Sequence, residues 1–483
     1  MTSIKGIGFT EEIAASILAL QKDGTITWDE FIENMESLII SSYSNEDKFG
    51  YKALWRERFI KVAKMLNIRV RADNKQYWKK IESKLCRQRT ESDNSPGKNP
   101  TSTNSSKTTS LKSYSSSSSS SHNYILSNED IESIKKRYAS IDQNKKWKLS
   151  TGTVVEDVME KVAIECKYEH PVHSLILDIK DSVWNDYFST IELDEITNHN
   201  RKSLSSLPST LVDYLNTYDN NNLSAKEIYK YACNHSFDPI DEYDKKWIQQ
   251  TIVTAVDIFM FNDVINTNCF SEADYLHRIW RFIYMLFNDN YVDAIFGEKT
   301  SDSISKRKNE TPQLERIDKR KSKAMDSGMD ILFKYGFLEL GCVEAGIGQI
   351  STYDNKYMND GMIKLPKALR DIMVSLVEYN GDNINNFVTV GFILLGLEME
   401  LVIMDVPEGH SICRITRSPV FTFPFCINSF GADIIPILEI TWKAKKLMQD
   451  TISLINKKKR KASEMTTKNT KPTLLSSFNT SSL

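Results

Sequence analysis

The chain lacks three features that would assign it to common classes of protein. Its seven cysteines show no pairs at metal-ligand or disulfide spacing, which argues against a zinc or disulfide framework and predicts reduced thiols. No apolar run approaches the ~20 residues that cross a bilayer, and the N-terminus has no apolar signal core. No GxxxxGK[ST] motif accompanies Gly341, Gly346 and Gly348, which argues against a phosphate-binding loop. We therefore expect a soluble protein that stays inside the cell.

The composition is that of an ordinary globular protein, but its segments differ. At 483 residues the chain is long enough for two or three domains, and its 62 basic and 64 acidic residues nearly balance. Periodicity and composition predict five segments: a helical N-terminal module at 1–90, basic in its second half; a disordered Ser-rich linker at 91–123; a helical region at 124–267; an α/β core at 268–456; and a disordered tail at 457–483.

The core segment predicts an α+β fold, because its hydrophobic period changes from helical to alternating near Asp330. Gly336 separates two short β-rich runs and indicates a hairpin. We expect a helical N-terminal module and a helical region leading into a small mixed β-sheet flanked by helices. The predicted strands are 330–335, 337–345, 387–395, 397–406 and 412–417, and the predicted helices are 357–379 and 434–455.

Acidic residues mark the hairpin as a candidate metal site. Asp330 begins one strand, and Glu339 and Glu344 lie on the next. Hydrolysis of a phosphodiester by a bound metal needs carboxylate ligands for Mg²⁺, often with a lysine that stabilises the growing negative charge. Pairing of Asp330 with Gly341 brings Glu339 to its face, whereas pairing with Cys342 brings Glu344, and the sequence leaves both registers open.

One block of the chain is distinctive and consists of the runs SEADYLHRIW, GEKTS, RKN, GMDILF, LELGCVEAG and KLPKALRD. This block resembles a family of mostly uncharacterised fungal proteins. These proteins carry a restriction-endonuclease-like core of the PD-(D/E)XK class, and the resemblance covers roughly residues 240 to 450. It implies that Glu298 on a leading helix, Asp330 and Glu344 bind Mg²⁺ or Mn²⁺. The lysine of the family's Glu-x-Lys motif falls on Gly346, so Lys364 on the following helix would have to compensate, or the site is inactive.

Two classes of function follow from this resemblance. In the first, the protein is a metal-dependent nuclease in which Asp330, Glu344 and Lys364 are catalytic. In the second, the nuclease fold has lost catalysis and binds DNA or a nuclear protein partner. The substitution of glycine for the motif lysine favours the second class.

Basic segments indicate a nuclear protein that contacts nucleic acid. The run of Lys457, Lys458, Lys459, Arg460 and Lys461 resembles a monopartite nuclear localisation signal, which an import receptor would bind; complementing a helix dipole is the alternative. Residues 50–90 carry thirteen basic and three acidic residues, so they either neutralise phosphates or form a solvated surface. A third basic stretch at 306–323 precedes Asp330.

Overall fold

A computed structural model describes residues 9–42, 51–66, 68–71, 77, 78, 81, 125–219, 223–267, 269–287, 289, 291–310, 328–457 and 474–479. The chain divides into two compact units, Met1–Ser117 and Ser118–Leu483. The predicted linker at 91–123 lies outside the described residues, so its disorder stays a prediction. Among the residues that are described, no helix is long and apolar enough to span a membrane.

The first unit is a small helical module around a shared aromatic core. Thr27 caps one of its helices through a reciprocal pair of hydrogen bonds with Glu30, which satisfies backbone N–H groups at the helix start. Trp55 and Phe59 are buried against this helix, so these aromatic rings support the fold and do not form an exposed surface. The elements are α1 (Thr10–Leu20), β1 (Thr25–Thr27), α2 (Trp28–Ser41), α3 (Tyr51–Met65) and β2 (Arg69–Arg71).

The second unit begins with helices whose ends are capped in the same way. Ser127, Ser189 and Ser224 each cap a helix and receive the side chain of the third helical residue in return. The helices are α4 (Asn128–Ala139), α5 (Val155–Glu165), α6 (Thr190–Asn198), α7 (Ser209–Asn216), α8 (Ala225–Cys233) and α9 (Tyr243–Asp257). A leading helical segment follows, made of Glu272–Asp274, Tyr275–Ile279 and Arg281–Met285.

A mixed sheet forms the centre of the second unit, which confirms the predicted α+β class. Its strand order is β3-β9-β8-β7-β6-β5-β4, with β10 paired to β8. Neighbouring strands are antiparallel except for β6 with β7 and β3 with β9, which are parallel. The strands are β3 (Ile176–Asp178), β4 (Asp293–Thr300), β5 (Gly328–Tyr335), β6 (Leu338–Gly346), β7 (Val388–Leu395), β8 (Glu398–Asp405), β9 (Cys413–Arg417) and β10 (Phe421–Thr422).

Helices cover both faces of this sheet. The helix α11 (Leu365–Tyr379) packs on β6 and β7, after α10 (Asp302–Glu310) and a π-helix at Tyr357–Lys364. The leading helical segment packs on the other face, where Phe287 contacts Phe333 of β5. The helix α12 (Phe430–Asn456) lies with α9, since Lys445 pairs with Asp244 at 3.2 Å. Both faces are therefore buried, as the apolar strands require.

The structure differs from the sequence prediction at three places. The region 124–267 is not wholly helical, because Ile176–Asp178 forms an edge strand paired with β9. The strand β4 was not predicted; its Asp293–Thr300 sequence lacks a regular apolar alternation. The tail is ordered at 474–479, where Leu474 and Phe478 are buried, so the prediction of disorder is wrong for this part. The remaining tail residues 458–473 and 480–483 lie outside the described residues.

The ordered tail segment contacts both α11 and the helical region. Backbone N–H of Ser477 donates to Asp371 at 2.8 Å, and that of Phe478 donates to Ser174 Oγ at 2.9 Å. Arg370 donates to the carbonyl oxygen of Leu475 at 2.9 Å. These bonds hold the ring of Phe478 in the core around α4 and α5.

We expect Phe478→Ala to lower the free energy of unfolding of the second unit by about 3 kcal/mol, because it leaves a cavity in that core. Chemical denaturation of the full chain measures this change. The matched control is Phe261→Ala, since Phe261 is 95% exposed and should change stability by less than about 0.5 kcal/mol. Equal effects of the two substitutions would contradict the described packing of the tail.

Candidate functional site

A bulge in the hairpin brings Asp330 and Glu344 together. The register shifts after Phe333, and from there Ile331 pairs with Val343. Continued by one residue, this register places Asp330 opposite Glu344 with both side chains on one face. A regular hairpin with the same turn would place Asp330 opposite Val343 and direct Glu344 to the other face.

Neither register considered from the sequence occurs. Both had placed Asp330 opposite a residue nearer the turn, Gly341 or Cys342, whereas those residues pair with Phe333 and Leu332. The hairpin turn at Gly336 is confirmed, with a positive φ of 59° that suits glycine. The bulge adds one residue to β6, and this shift decides which acid faces Asp330.

Glu339, the competing acid, has a structural role. Its carboxylate accepts hydrogen bonds from Ser301 Oγ at 2.7 Å, from the Asp302 N–H at 2.8 Å and from the Ser303 N–H at 3.2 Å. These groups lie at the start of α10, where a negative charge complements the helix dipole. Glu339 is 1% exposed, so it caps a helix from the core and is not available as a ligand.

One of the two carboxylate oxygens of Asp330 accepts a hydrogen bond. Its Oδ2 atom accepts a hydrogen bond of 2.7 Å from the backbone N–H of Ala345. Burial raises the pKa of Asp330, and the bond from Ala345 and the charge of Lys364 offset part of that rise. The other carboxylate oxygen, Oδ1, accepts no hydrogen bond from the residues that the structure describes.

Glu344 is buried and pairs with a single cation. Lys364 Nζ donates to Oε2 at 2.9 Å and lies 2.8 Å from Oε1, at an angle that leaves Oε1 without a hydrogen bond. Burial raises the pKa of Glu344 to about 8, although Lys364 acts in the opposite direction. For Lys364, burial lowers the pKa but the surrounding acids, Glu344 first, outweigh it, so the net shift is upward. Lys364, named from the sequence as the residue that could compensate for Gly346, thus lies beside Glu344.

Three charged residues that were not selected from the sequence complete the cluster. Lys356 Nζ lies 2.8 Å from Glu272 Oε1 and 3.5 Å from Asp360 Oδ2. Lys356, Asp360 and Lys364 recur every four residues, which places them on one side of a helical turn. That repeat is visible in the sequence, so Lys356 and Asp360 could have been predicted from it as members of the cluster. Glu272 gave no such signal, because it lies 84 positions away.

Buried ion pairs hold the π-helix against the sheet. Arg417 donates to the carbonyl oxygen of Gly361 at 2.8 Å and pairs with Asp178 and Glu400 at 2.8 Å each. Tyr357 donates to Glu400 at 2.9 Å. Because these charges are almost fully buried, their partners leave little freedom for the helix. Lys356, Asp360 and Lys364 are thereby fixed in position over the ends of β6 and β7.

Gly346 lies directly beneath the side chain of Lys356. A Cβ atom at position 346 would be 1.8 Å from Lys356 Cε and 2.5 Å from Nζ. The position that the resemblance assigns to a lysine is therefore open only to glycine while Lys356 keeps this conformation.

The placement of Glu298 on a leading helix is wrong. Glu298 belongs to β4, at an irregularity in the pairing with β5 between Phe296 and Lys299. The positive φ of Gly297, 91°, accompanies this irregularity. The acid that the leading helical segment contributes is Glu272, through Lys356.

The carboxylates of Asp330 and Glu344 supply some of the ligands that a divalent cation needs. Within the described ranges, no group of three or more His, Cys, Asp or Glu side chains has the arrangement of a metal site. Asp330 and Glu344 nevertheless offer two adjacent carboxylates, and Glu344 Oε1 is buried without a hydrogen bond. Mg²⁺ is commonly held by one or two carboxylates with substrate phosphate and water supplying the other ligands. The pair therefore fits an open two-carboxylate site.

Only part of the basic sequence is described. Arg69 and Arg71 are exposed in the first unit, together with Arg56 and Lys64. Arg307 of the third basic stretch is buried and pairs with Asp371 at 2.9 Å, so it is not available to a phosphate backbone. Lys457 ends α12, whereas Lys458, Lys459, Arg460 and Lys461 lie outside the described residues.

Comparisons with protein-family models, with curated proteins and with solved structures each give no match to this chain.

Proposed function

We propose that this chain is a nuclear protein with a restriction-endonuclease-like core that hydrolyses phosphodiester bonds of nucleic acid, most readily DNA, with Mg²⁺ or Mn²⁺. The observation that carries the proposal is the register of β5 and β6, which, continued by one residue, places Asp330 opposite Glu344, with Lys364 2.8 Å from Glu344. A structural ion pair alone would not need a second buried acid beside it.

The order of elements supports this proposal. A helical segment with an acid precedes a strand that opens near Asp330, a strand that ends near Glu344, and helical turns with Lys356 and Lys364. This is the order that the resemblance implies. Glu298 lies on β4 and its side chain is outside the described part of the structure, so the proposal rests on Asp330 and Glu344.

Each residue has a defined part in the proposed chemistry. A cation bound at the pair would polarise the phosphoryl group and acidify a water molecule. Asp330 and Glu344 hold negative charge at the ends of β5 and β6, and Lys364 offsets the charge of Glu344 before a cation binds. In hydrolysis the water oxygen bonds to phosphorus, the bond to the departing sugar oxygen breaks, and that oxygen leaves with a proton.

Cation binding should depend strongly on pH. Glu344 must lose its proton to become a ligand, and burial raises its pKa to about 8. Below that pH we expect Mn²⁺ affinity to rise about tenfold per pH unit, because one proton is released for each cation bound. Calorimetric titration of the full chain between about pH 6 and 7.5, in buffers of different ionisation enthalpy, measures affinity and proton release.

The control for this titration is Glu344→Gln, which cannot ionise. We expect the variant to bind Mn²⁺ weakly and without the pH slope. Binding by the unmodified chain that is independent of pH would contradict the assignment of Glu344 as a ligand.

A second candidate is a binding module that has lost catalysis. The observation that favours it is the ion pair of Lys364 with Glu344, which balances the charge of the acid without a metal. In that case the full chain would bind DNA equally well with Mn²⁺ or with a chelator and would not cleave it. A filter-binding assay run beside a cleavage assay separates the two candidates.

A further inference from the structure

The side chain of Lys356 occupies the space above Gly346. Its Cε atom stands 1.8 Å from the place where a Cβ of residue 346 would be, and its Nζ stands 2.5 Å from it. Real side chains do not approach that closely, so a side chain at 346 would displace the flexible end of Lys356. The two positions therefore form one spatial unit at the end of β6.

The ammonium group of Lys356 is both anchored and accessible. Glu272 and Asp360 hold it at 2.8 Å and 3.5 Å, and its side chain is 31% exposed. Burial lowers its pKa, but Glu272, Asp360 and Asp330 raise it more, so the net shift is upward and the group is charged at neutral pH. A substrate phosphate at Asp330 would meet this charge from the solvent side.

Lys356, which precedes the π-helix, and Lys364, which ends it, have different partners. Lys364 contacts both oxygens of Glu344, at 2.8 and 2.9 Å. Lys356 forms ion pairs with Glu272 and Asp360 and with neither of the two proposed ligands, Asp330 and Glu344. Lys364 is thus suited to balance a buried ligand, while Lys356 is suited to bind an anion that enters from outside.

We propose that Lys356 supplies, through space, the cation that Gly346 cannot, and that it binds a non-bridging oxygen of the substrate phosphate beside Asp330. The inference rests on the proposed function, and it adds a phosphate-binding role for Lys356 to the charge-balancing role of Lys364. Glu272 and Asp360 are positioning residues, because they act on the phosphate only through Lys356.

Cleavage assays on five variants of the full chain test this role. We expect Lys356→Met to lower kcat by about 100-fold, the loss typical of one donor to a developing oxyanion. Mn²⁺ affinity, measured by calorimetry, should change by less than about threefold, since Asp330 and Glu344 remain. The control Lys443→Met removes a lysine paired with Glu439 on α12 and should leave kcat unchanged.

Moving the lysine back to β6 gives the sharper result. Gly346→Lys alone should clash with Lys356 and lower both activity and thermal stability. The double variant Gly346→Lys with Lys356→Ala should have a kcat at least about tenfold higher than that of Lys356→Ala alone. The reason is that the ammonium returns to the same space. A merely structural role for Lys356 would not give this rescue.

Thermal unfolding tests the spatial claim without activity. We expect Gly346→Ala to lower Tm in the unmodified chain and to lower it by less than half as much when Lys356 is alanine. Additive effects would overturn the interdependence of the two positions. Normal kcat in Lys356→Met, or no rescue by Gly346→Lys, would overturn the role of Lys356 alone. Cleavage that does not require Asp330 would overturn the proposed function, and this role with it.

Discussion

Replacing Asp330 by asparagine should reduce Mg²⁺-dependent cleavage of plasmid DNA by about 1,000-fold or more, because a cation held by two carboxylates loses one of them. Asparagine keeps the shape of the side chain and can still accept the hydrogen bond from the Ala345 N–H. Burial raises the pKa of Asp330, so removing its charge should not destabilise the fold. Conversion of supercoiled to nicked or linear plasmid measures the rate.

The matched control for this prediction is Asp450→Asn on α12. Asp450 forms an exposed ion pair with Lys446 at 3.4 Å, so the same chemical change there should leave cleavage intact. Far-ultraviolet circular dichroism confirms that each variant is folded. Cleavage that persists in Asp330→Asn would assign the activity to another site or to a contaminating nuclease.

Replacing Lys457, Lys458, Lys459, Arg460 and Lys461 by alanine should leave a tagged protein largely in the cytoplasm. At 55.5 kDa the chain would cross the nuclear pore slowly without an import receptor. An import receptor recognises the basic run by charge, and five alanines remove that charge. The ratio of nuclear to cytoplasmic fluorescence in living cells measures the effect.

The matched control replaces the four lysines of this run by arginine, which keeps the charge and should keep the nuclear signal. The substituted run is separate in sequence from the described tail segment 474–479, so Phe478 itself is unchanged. A nuclear signal that survives the alanine variant would show that import depends on another segment or on a partner.

The local pattern predicted five of the ten described strands because alternation and turn glycines act over a few residues. The predicted runs around Gly336 and the strand at 387–395 match β5, β6 and β7 to within two residues. The helix after the hairpin was also predicted, although its first two turns are a π-helix. These features depend on neighbours in sequence.

The geometry of the site could not be predicted because it depends on one residue of register. The bulge after Phe333 decides that Glu344, and not Glu339, faces Asp330. Gly341 allows a bulge at this place, but the sequence does not decide between a bulged and a regular hairpin. The contact of Glu272 with Lys356 could not be predicted either, because it joins elements that pack only in the folded chain.

The ordered tail was missed for a related reason. The segment 474–479 is surrounded by polar residues and shows no helical or alternating period, so its composition indicates disorder. Its order comes from hydrogen bonds to α11, from the burial of Phe478 in the core around α4 and α5, and from the bond of the Phe478 N–H to Ser174, 304 positions earlier.

Anomalous diffraction from a crystal soaked in Mn²⁺ tests the central claim most directly, because it locates the cation. We predict a peak about 2.0 to 2.3 Å from carboxylate oxygens of both Asp330 and Glu344, with Lys364 Nζ displaced from Glu344. A chain that binds Mn²⁺ elsewhere, or that keeps Lys364 on both oxygens of Glu344 with no peak beside Asp330, would contradict a metal-dependent nuclease site in this protein.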